Sequence, residues 1–124
     1  MTVHWDGSKL VALEQDLAGI SGRVTPAVVK VIKDGGEAIA KRAKEIAPKG
    51  ATGNLRRSIN STFTAGGGGS EATAEIGPTV FYGRFVEHGT SRMSPRPYLA
   101  PAADAESEGI TEAIAKAASE AFFG

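Results

Sequence analysis

The chain has 124 residues, 41% of them hydrophobic and 23% charged, proportions that suit one soluble globular core and exclude a disordered chain. No apolar run approaches the roughly 20 residues of a membrane-spanning helix, and the absence of cysteine removes disulfides and thiolate chemistry, as expected of a protein used in a reducing cytoplasm. The formal net charge is zero, but residues 23–57 carry nine Lys or Arg against three acids, so the middle of the chain is basic and both ends are acidic. Such charges serve as solvated helix faces, or they steer basic and acidic faces of neighbouring copies together. The first residues, Met1-Thr2-Val3-His4-Trp5-Asp6, lack the pattern of a signal peptide.

In chain order, Leu10, Leu13, Leu17 and Ile20 are spaced 3, 4 and 3 apart and predict an N-terminal helix over about 8–20, ended by Ser21-Gly22. Thr25-Pro26 is a helix-start signal, because proline in the first turn lacks a donor that would go unpaired anyway. Val28, Ile32, Ile39, Ala43 and Ile46 then continue on one face of a long helix over about 26–47, which Pro48 ends. Inside it, Gly35-Gly36 predicts a modest kink or a close approach by another backbone, since the apolar spacing stays in phase across the pair. From Ile59 the period changes to two. Ile59, Ser61 and Phe63 share one face, and Ala72, Ala74 and Ile76 share one after the run Gly66-Gly67-Gly68-Gly69-Ser70. This predicts an antiparallel hairpin over about 59–76 with a glycine tip, stopped by Gly77-Pro78. A last helix over about 101–122, with Leu99, Ala103, Ile110, Ile114 and Ala117 inward, tolerates Pro101 in its first turn. Phe122-Phe123 is either a core plug or an apolar pair that awaits a neighbour.

Between hairpin and last helix lie residues 81–101, which hold four of the eight aromatic residues, three of the six prolines and three arginines. Tyr82, Phe85, Val86 and Gly89 fall at i, i+3, i+4 and i+7, one side of a short helix that Gly89 can close with a positive φ. Residues 90–97 are too polar and proline-rich to continue it. The reading places Tyr82, Phe85 and Tyr98 in the core and displays Arg84, Glu87, His88, Arg92 and Arg96 at the surface.

Tyr82-Gly83-Arg84-Phe85-Val86-Glu87-His88-Gly89-Thr90, followed by Pro95-Arg96-Pro97-Tyr98-Leu99-Ala100-Pro101-Ala102, resembles the signature of the gene-ten-like tail-component family of long-tailed bacteriophages. Upstream, Thr52-Gly53-Asn54-Leu55-Arg56-Arg57-Ser58-Ile59 is similar to the family's approach to its sheet, and with the flanking helices the likeness spans roughly residues 8–122. The departures are mild: His88 stands where an aromatic or aliphatic residue is common, and the polyglycine run is unusual. The resemblance implies a structural virion protein of the head-to-tail joint, a neck or tail-completion protein forming a hexameric ring between head connector and tail. It would be made in the host cytoplasm and end in the virion.

The expected architecture is α+β, one domain over residues 1–124: a long helix and a C-terminal helix on a small antiparallel sheet with a glycine-tipped hairpin, plus an N-terminal helix. The subunit or partner interface is expected at Arg56, Arg57, Arg84, Glu87, His88, Arg92, Met93 and Arg96, within and near a segment over 81–100. No catalytic, cofactor or metal role is expected. His4 and His88 belong to no ligand-spaced motif, Glu87-His88 with Ser91 lacks a glycine-framed nucleophile turn, and the glycine run lacks the lysine of a phosphate-binding loop. The alternative is a DNA-contacting channel module with a basic helix, although a neutral chain with no aromatic residue among those basic positions lacks the usual footprint.

Overall fold

The computed structural model describes residues 2–4, 11–16, 25–48, 53–65 and 71–123, with side chains for residues 26–48, 53–64, 72–83 and 85–120. The class is α+β. Four strands, β1 (Thr2–His4), β2 (Val11–Asp16), β3 (Asn60–Ala65) and β4 (Glu71–Gly77), form one sheet in the order β1-β2-β4-β3. The helices are α1 (Thr25–Ile46), α2 (Asn54–Ser58), α3 (Gly83–His88) and α4 (Leu99–Phe123).

The long helix organises the core. Val28, Ile32, Ile39, Ala43 and Ala47 are fully buried, a stripe at helical spacing that packs on the sheet and on α4. Ile46, expected on that face, is 40% exposed; Ala47, four residues after Ala43, takes the inward place, and its N–H donates to Ala43 O at 2.8 Å.

Gly35-Gly36 lies inside one uninterrupted helix, and the pair marks two close approaches. A Cβ on Gly35 would stand 2.9 Å from Ile110 Cδ1 of α4, and one on Gly36 would stand 2.7 Å from Ala74 Cβ of β4. Successive helical residues point about 100° apart, so two adjacent glycines let α1 lie close to a helix on one side and the sheet on the other. Two-sided contact explains why both are glycine despite a cost of about 1 kcal/mol each in helix propensity.

The hairpin pairs one-to-one, from Asn60 opposite Gly77 to Ala65 opposite Ala72. Its alternation has the expected consequence. Ala72, Ala74 and Ile76 are fully buried beneath α1, whereas Asn60, Thr62 and Thr64 are exposed. Residues 66–70, the expected tip, lie outside the described residues.

The N-terminal helix is corrected where it can be seen. Val11–Asp16 is a strand, antiparallel to β4 from Val11 opposite Ile76 to Asp16 opposite Glu71, and β1 pairs on its far side. Residues 8–10 and 17–20 of the expected helix, and Trp5, lie outside the described residues. A short apolar run carries both periods, because Leu13 belongs equally to a 3-4 stripe and to an alternation. Tertiary pairing decides. A strand here fills the second edge of β4 and satisfies its backbone groups, which no isolated three-turn helix would do.

Candidate functional site

Between β4 and α4 the chain makes an excursion that is held tightly at its base and bare at its tip. It leaves the sheet with Thr79 N–H donating to Ser58 O at 3.2 Å, then turns so that Gly83 N–H donates to Val80 O at 3.1 Å. In α3 the inner positions are Gly83, Val86 and Glu87, spaced i, i+3 and i+4. Gly83 is buried because a Cβ there would meet Pro78 Cβ at 2.7 Å and Tyr98 Oη at 3.0 Å. The phenol of fully buried Tyr98 donates to Gly83 O at 2.9 Å. Burial, with Glu87 nearby, pushes the Tyr98 phenol well above its ordinary value.

Gly89 ends α3 with φ 76° and ψ 175°, a combination essentially restricted to glycine, while its N–H donates to Phe85 O at 2.7 Å. A side chain there would also stand 2.8 Å from Met93 O and from the ring of Pro95. Thr90 and Met93 exchange backbone bonds of 2.8 and 3.3 Å, Arg92 N–H donates to Thr90 Oγ1 at 3.2 Å, and Arg96 N–H returns to Val86 O at 2.7 Å. All of residues 90–97 are nonetheless exposed.

The central clamp is Glu87, only 4% exposed. Its Oε1 accepts the N–H groups of Tyr98 and Leu99, each at 2.8 Å, and its Oε2 accepts that of Ala100 at 3.2 Å. These are first-turn amides of α4, which would otherwise lack partners, and an anion suits the positive end of the helix dipole. One carboxylate thus caps α4 from eleven residues upstream and closes the loop on itself.

This corrects two expectations. Glu87 is not displayed to a partner, and its carboxylate is engaged on α4 while His88 and Ser91 face outward. Tyr82 and Phe85 are not core residues: they are 36% and 38% exposed, because the buried face of α3 lies one residue further round than their spacing suggests. Local signal for the cap existed only in the negative. Pro97-Tyr98-Leu99 offers no Ser, Thr, Asp or Asn at the start of α4, so its amides had to find an acceptor elsewhere.

The exposed tip carries a distinct composition. Phe81, 80% exposed, stands edge-on to Tyr82 with ring centroids 5.6 Å apart, and Phe85 and Met93 at 38% add apolar surface. His88, Arg92 and Arg96 are exposed on the same segment, and the side chain of Arg84 lies outside the described residues. Arg56 and Arg57 belong to α2, which meets this segment through Ser58. Arg56 is half-buried and donates from Nε to Ala47 O at 2.7 Å, tying α2 to the end of α1, whereas exposed Arg57 donates to Asn54 Oδ1 of its own helix. Among the described residues, no group of three or more His, Asp or Glu side chains could hold a metal ion, and no helix is long and apolar enough to cross a membrane.

The family described as "Bacteriophage HK97-gp10, putative tail-component" matches residues 12–89, which run from β2 to the glycine that closes α3. No curated protein and no solved structure matches the chain.

Proposed function

We propose, from the premise that this chain belongs to the HK97-gp10-like tail-component family of bacteriophages, that it is a neck or tail-completion protein of the head-to-tail joint. It assembles in the host cytoplasm as a ring, hexameric by family likeness, and links connector to tail in the virion without catalysis. The observation that carries this reading is the pinned, bare segment over 81–96: Phe81, Tyr82, Phe85 and Met93 exposed beside His88, Arg92 and Arg96. Aromatic residues, Met and Arg are the types enriched at interface centres. A loop already fixed by Glu87 and Gly89 loses little freedom on docking, which lowers the cost of association.

The test is the Phe81→Ser, Met93→Ser double variant in a phage that encodes this chain. Both side chains are exposed, so the purified variant keeps its stability to within about 0.5 kcal/mol. Heads and tails should then accumulate unjoined. Joined, infective particles at the wild-type yield would refute the role given to this segment. Electron microscopy of wild-type particles that lacked the chain at the junction would refute the location.

The DNA-contacting alternative draws less support. Helix α1 carries five cations and three acids. Lys30 lies 3.7 Å from Asp34, and Arg42 donates from Nε to Glu106 Oε1 of α4 at 2.6 Å. Such interleaving makes a weak phosphate track. DNA affinity falling steeply with salt would favour this alternative.

A further inference from the structure

The sheet ends in two edges. Strand β3 is the outer strand on one side, and among the described residues nothing pairs with its outer edge. Native proteins blunt such edges with charges, proline, bulges or short strands. β3 has none of these devices: it is Asn-Ser-Thr-Phe-Thr-Ala, six residues in unbroken one-to-one register, without a charge or a proline. Beside it a groove of about 320 Å³ opens between β3 and α1, lined by Glu37, Lys41, Lys44, Ile59 and Ser61 among others. Lys41 and Lys44 are exposed at its rim.

Among the described residues the other edge is β1. Every neighbouring pair in the sheet is antiparallel, and among the described residues the strands number four, so β1 and β3 run in opposite directions. A second copy continuing the sheet therefore brings its β1 alongside β3 antiparallel, the pairing a short polar strand makes best. The same operation leaves the first copy's β1 free to meet the β3 of another copy. Such a contact is heterologous and closes into a ring when the rotation per copy allows. Charge favours this occupant. β1 itself carries no acid or lysine, but Glu14 of β2 lies opposite Thr2 and Asp16 follows it, acidic neighbours for a rim where Lys41 and Lys44 outnumber Glu37. Pairing of β3 with β3 across a two-fold axis would instead bring two lysine rims together.

We infer that the open edge of β3, with its groove, receives β1 of a neighbouring copy of this chain, and that this strand exchange closes the ring. The inference rests on the ring reading above and names the contact that makes it.

The chain has no cysteine, so engineered pairs report cleanly. Within one molecule β1 and β3 are separated by β2 and β4, hence by three strand spacings, roughly 14 Å, beyond the roughly 7 Å at which two Cα atoms can be bridged. The registers place Thr2, His4, Asn60, Thr62 and Thr64 on one face of the continued sheet, and a Thr2→Cys, Thr62→Cys double variant thus cannot crosslink internally. Thr2→Cys or His4→Cys combined with Asn60→Cys or Thr64→Cys samples the neighbouring registers. Mild oxidation of the native protein should give a ladder of covalent oligomers with at least one pair, lost on reduction and absent from each single variant. Dimers from Thr62→Cys alone would overturn the inference in favour of β3 pairing with itself. Rings in native mass spectra without a ladder from any pair would overturn it and leave the ring intact. A chain that stays monomeric in those spectra, even with connector and tail components present, would remove the ring and this contact together.

Discussion

Replacing Glu87 by alanine tests the clamp. The carboxylate holds two buried amides, of Tyr98 and Leu99, and the half-buried amide of Ala100. An unpartnered buried donor costs about 1–3 kcal/mol, and water reaching Ala100 reduces its share, so Glu87→Ala should lose about 3–5 kcal/mol. That is a large fraction of the roughly 5–15 kcal/mol that holds a typical domain together. Glu87→Gln keeps the shape and one carbonyl acceptor for Tyr98 and Leu99, but loses the charge and turns an amide N–H toward that of Ala100. A loss of about 1–2 kcal/mol follows, in line with the capping range. Urea unfolding followed by far-UV circular dichroism measures both, and hydrogen exchange should show the amide of Ala100 accelerated first in the glutamine variant. An alanine variant within about 0.5 kcal/mol of wild type would refute the argument, as would a glutamine variant that falls as far as the alanine one.

Tyr98→Phe should cost about 1–2 kcal/mol at neutral pH by stranding Gly83 O. Because folding raises the Tyr98 pKa above 10.0, the native state holds this proton more tightly than the unfolded chain. The contribution is therefore full below about pH 10 and declines as pH rises further; this decline in the wild-type stability profile should shrink in the variant, and an unchanged profile would contradict the assignment. Gly36→Ala should destabilise by about 1 kcal/mol net, overpacking against the fixed Cβ of Ala74 outweighing the gain in helix propensity. Gly109→Ala, in an exposed part of α4 where a Cβ would meet nothing within 4 Å, should stabilise by about 1 kcal/mol; thermal melts of the two variants that shift in the same direction would sink this pairing. Gly89→Ala should lose at least about 2 kcal/mol from backbone strain alone, read by urea titration, and a neutral result would mean the turn can relax.

Local chemistry made much of this architecture legible. Thr25-Pro26 marks the start of α1, and the in-phase stripe on either side of Gly35-Gly36 says that the helix continues through the pair. The alternation from Ile59 to Ile76 and the break at Gly77-Pro78 locate β3 and β4, and Gly89 marks the end of α3. What was hidden depends on partners distant in sequence. Val11–Asp16 becomes a strand because β4 has a vacant edge for it. Tyr82 and Phe85 lie outward because Glu87 is drawn inward by amides eleven to thirteen residues away. A glutamate beside a histidine looks like ordinary polar surface in one dimension, and only the missing local cap of α4 hinted otherwise. Of the expected interface positions, His88, Arg92, Met93 and Arg96 share one exposed segment, while Arg56 is tied to the end of α1.

The clamp also separates what may vary from what must stay. The excursion is tied to the body of the protein by the buried side chains of Glu87 and Tyr98 and by backbone bonds, among them those at Thr79, Gly89 and Arg96, whereas residues 90–97 are all exposed. Arg92, Met93 or Ser94 can therefore be exchanged without unsettling the body of the protein. The tip behaves as a key blank that can be recut whenever the facing protein changes its lock.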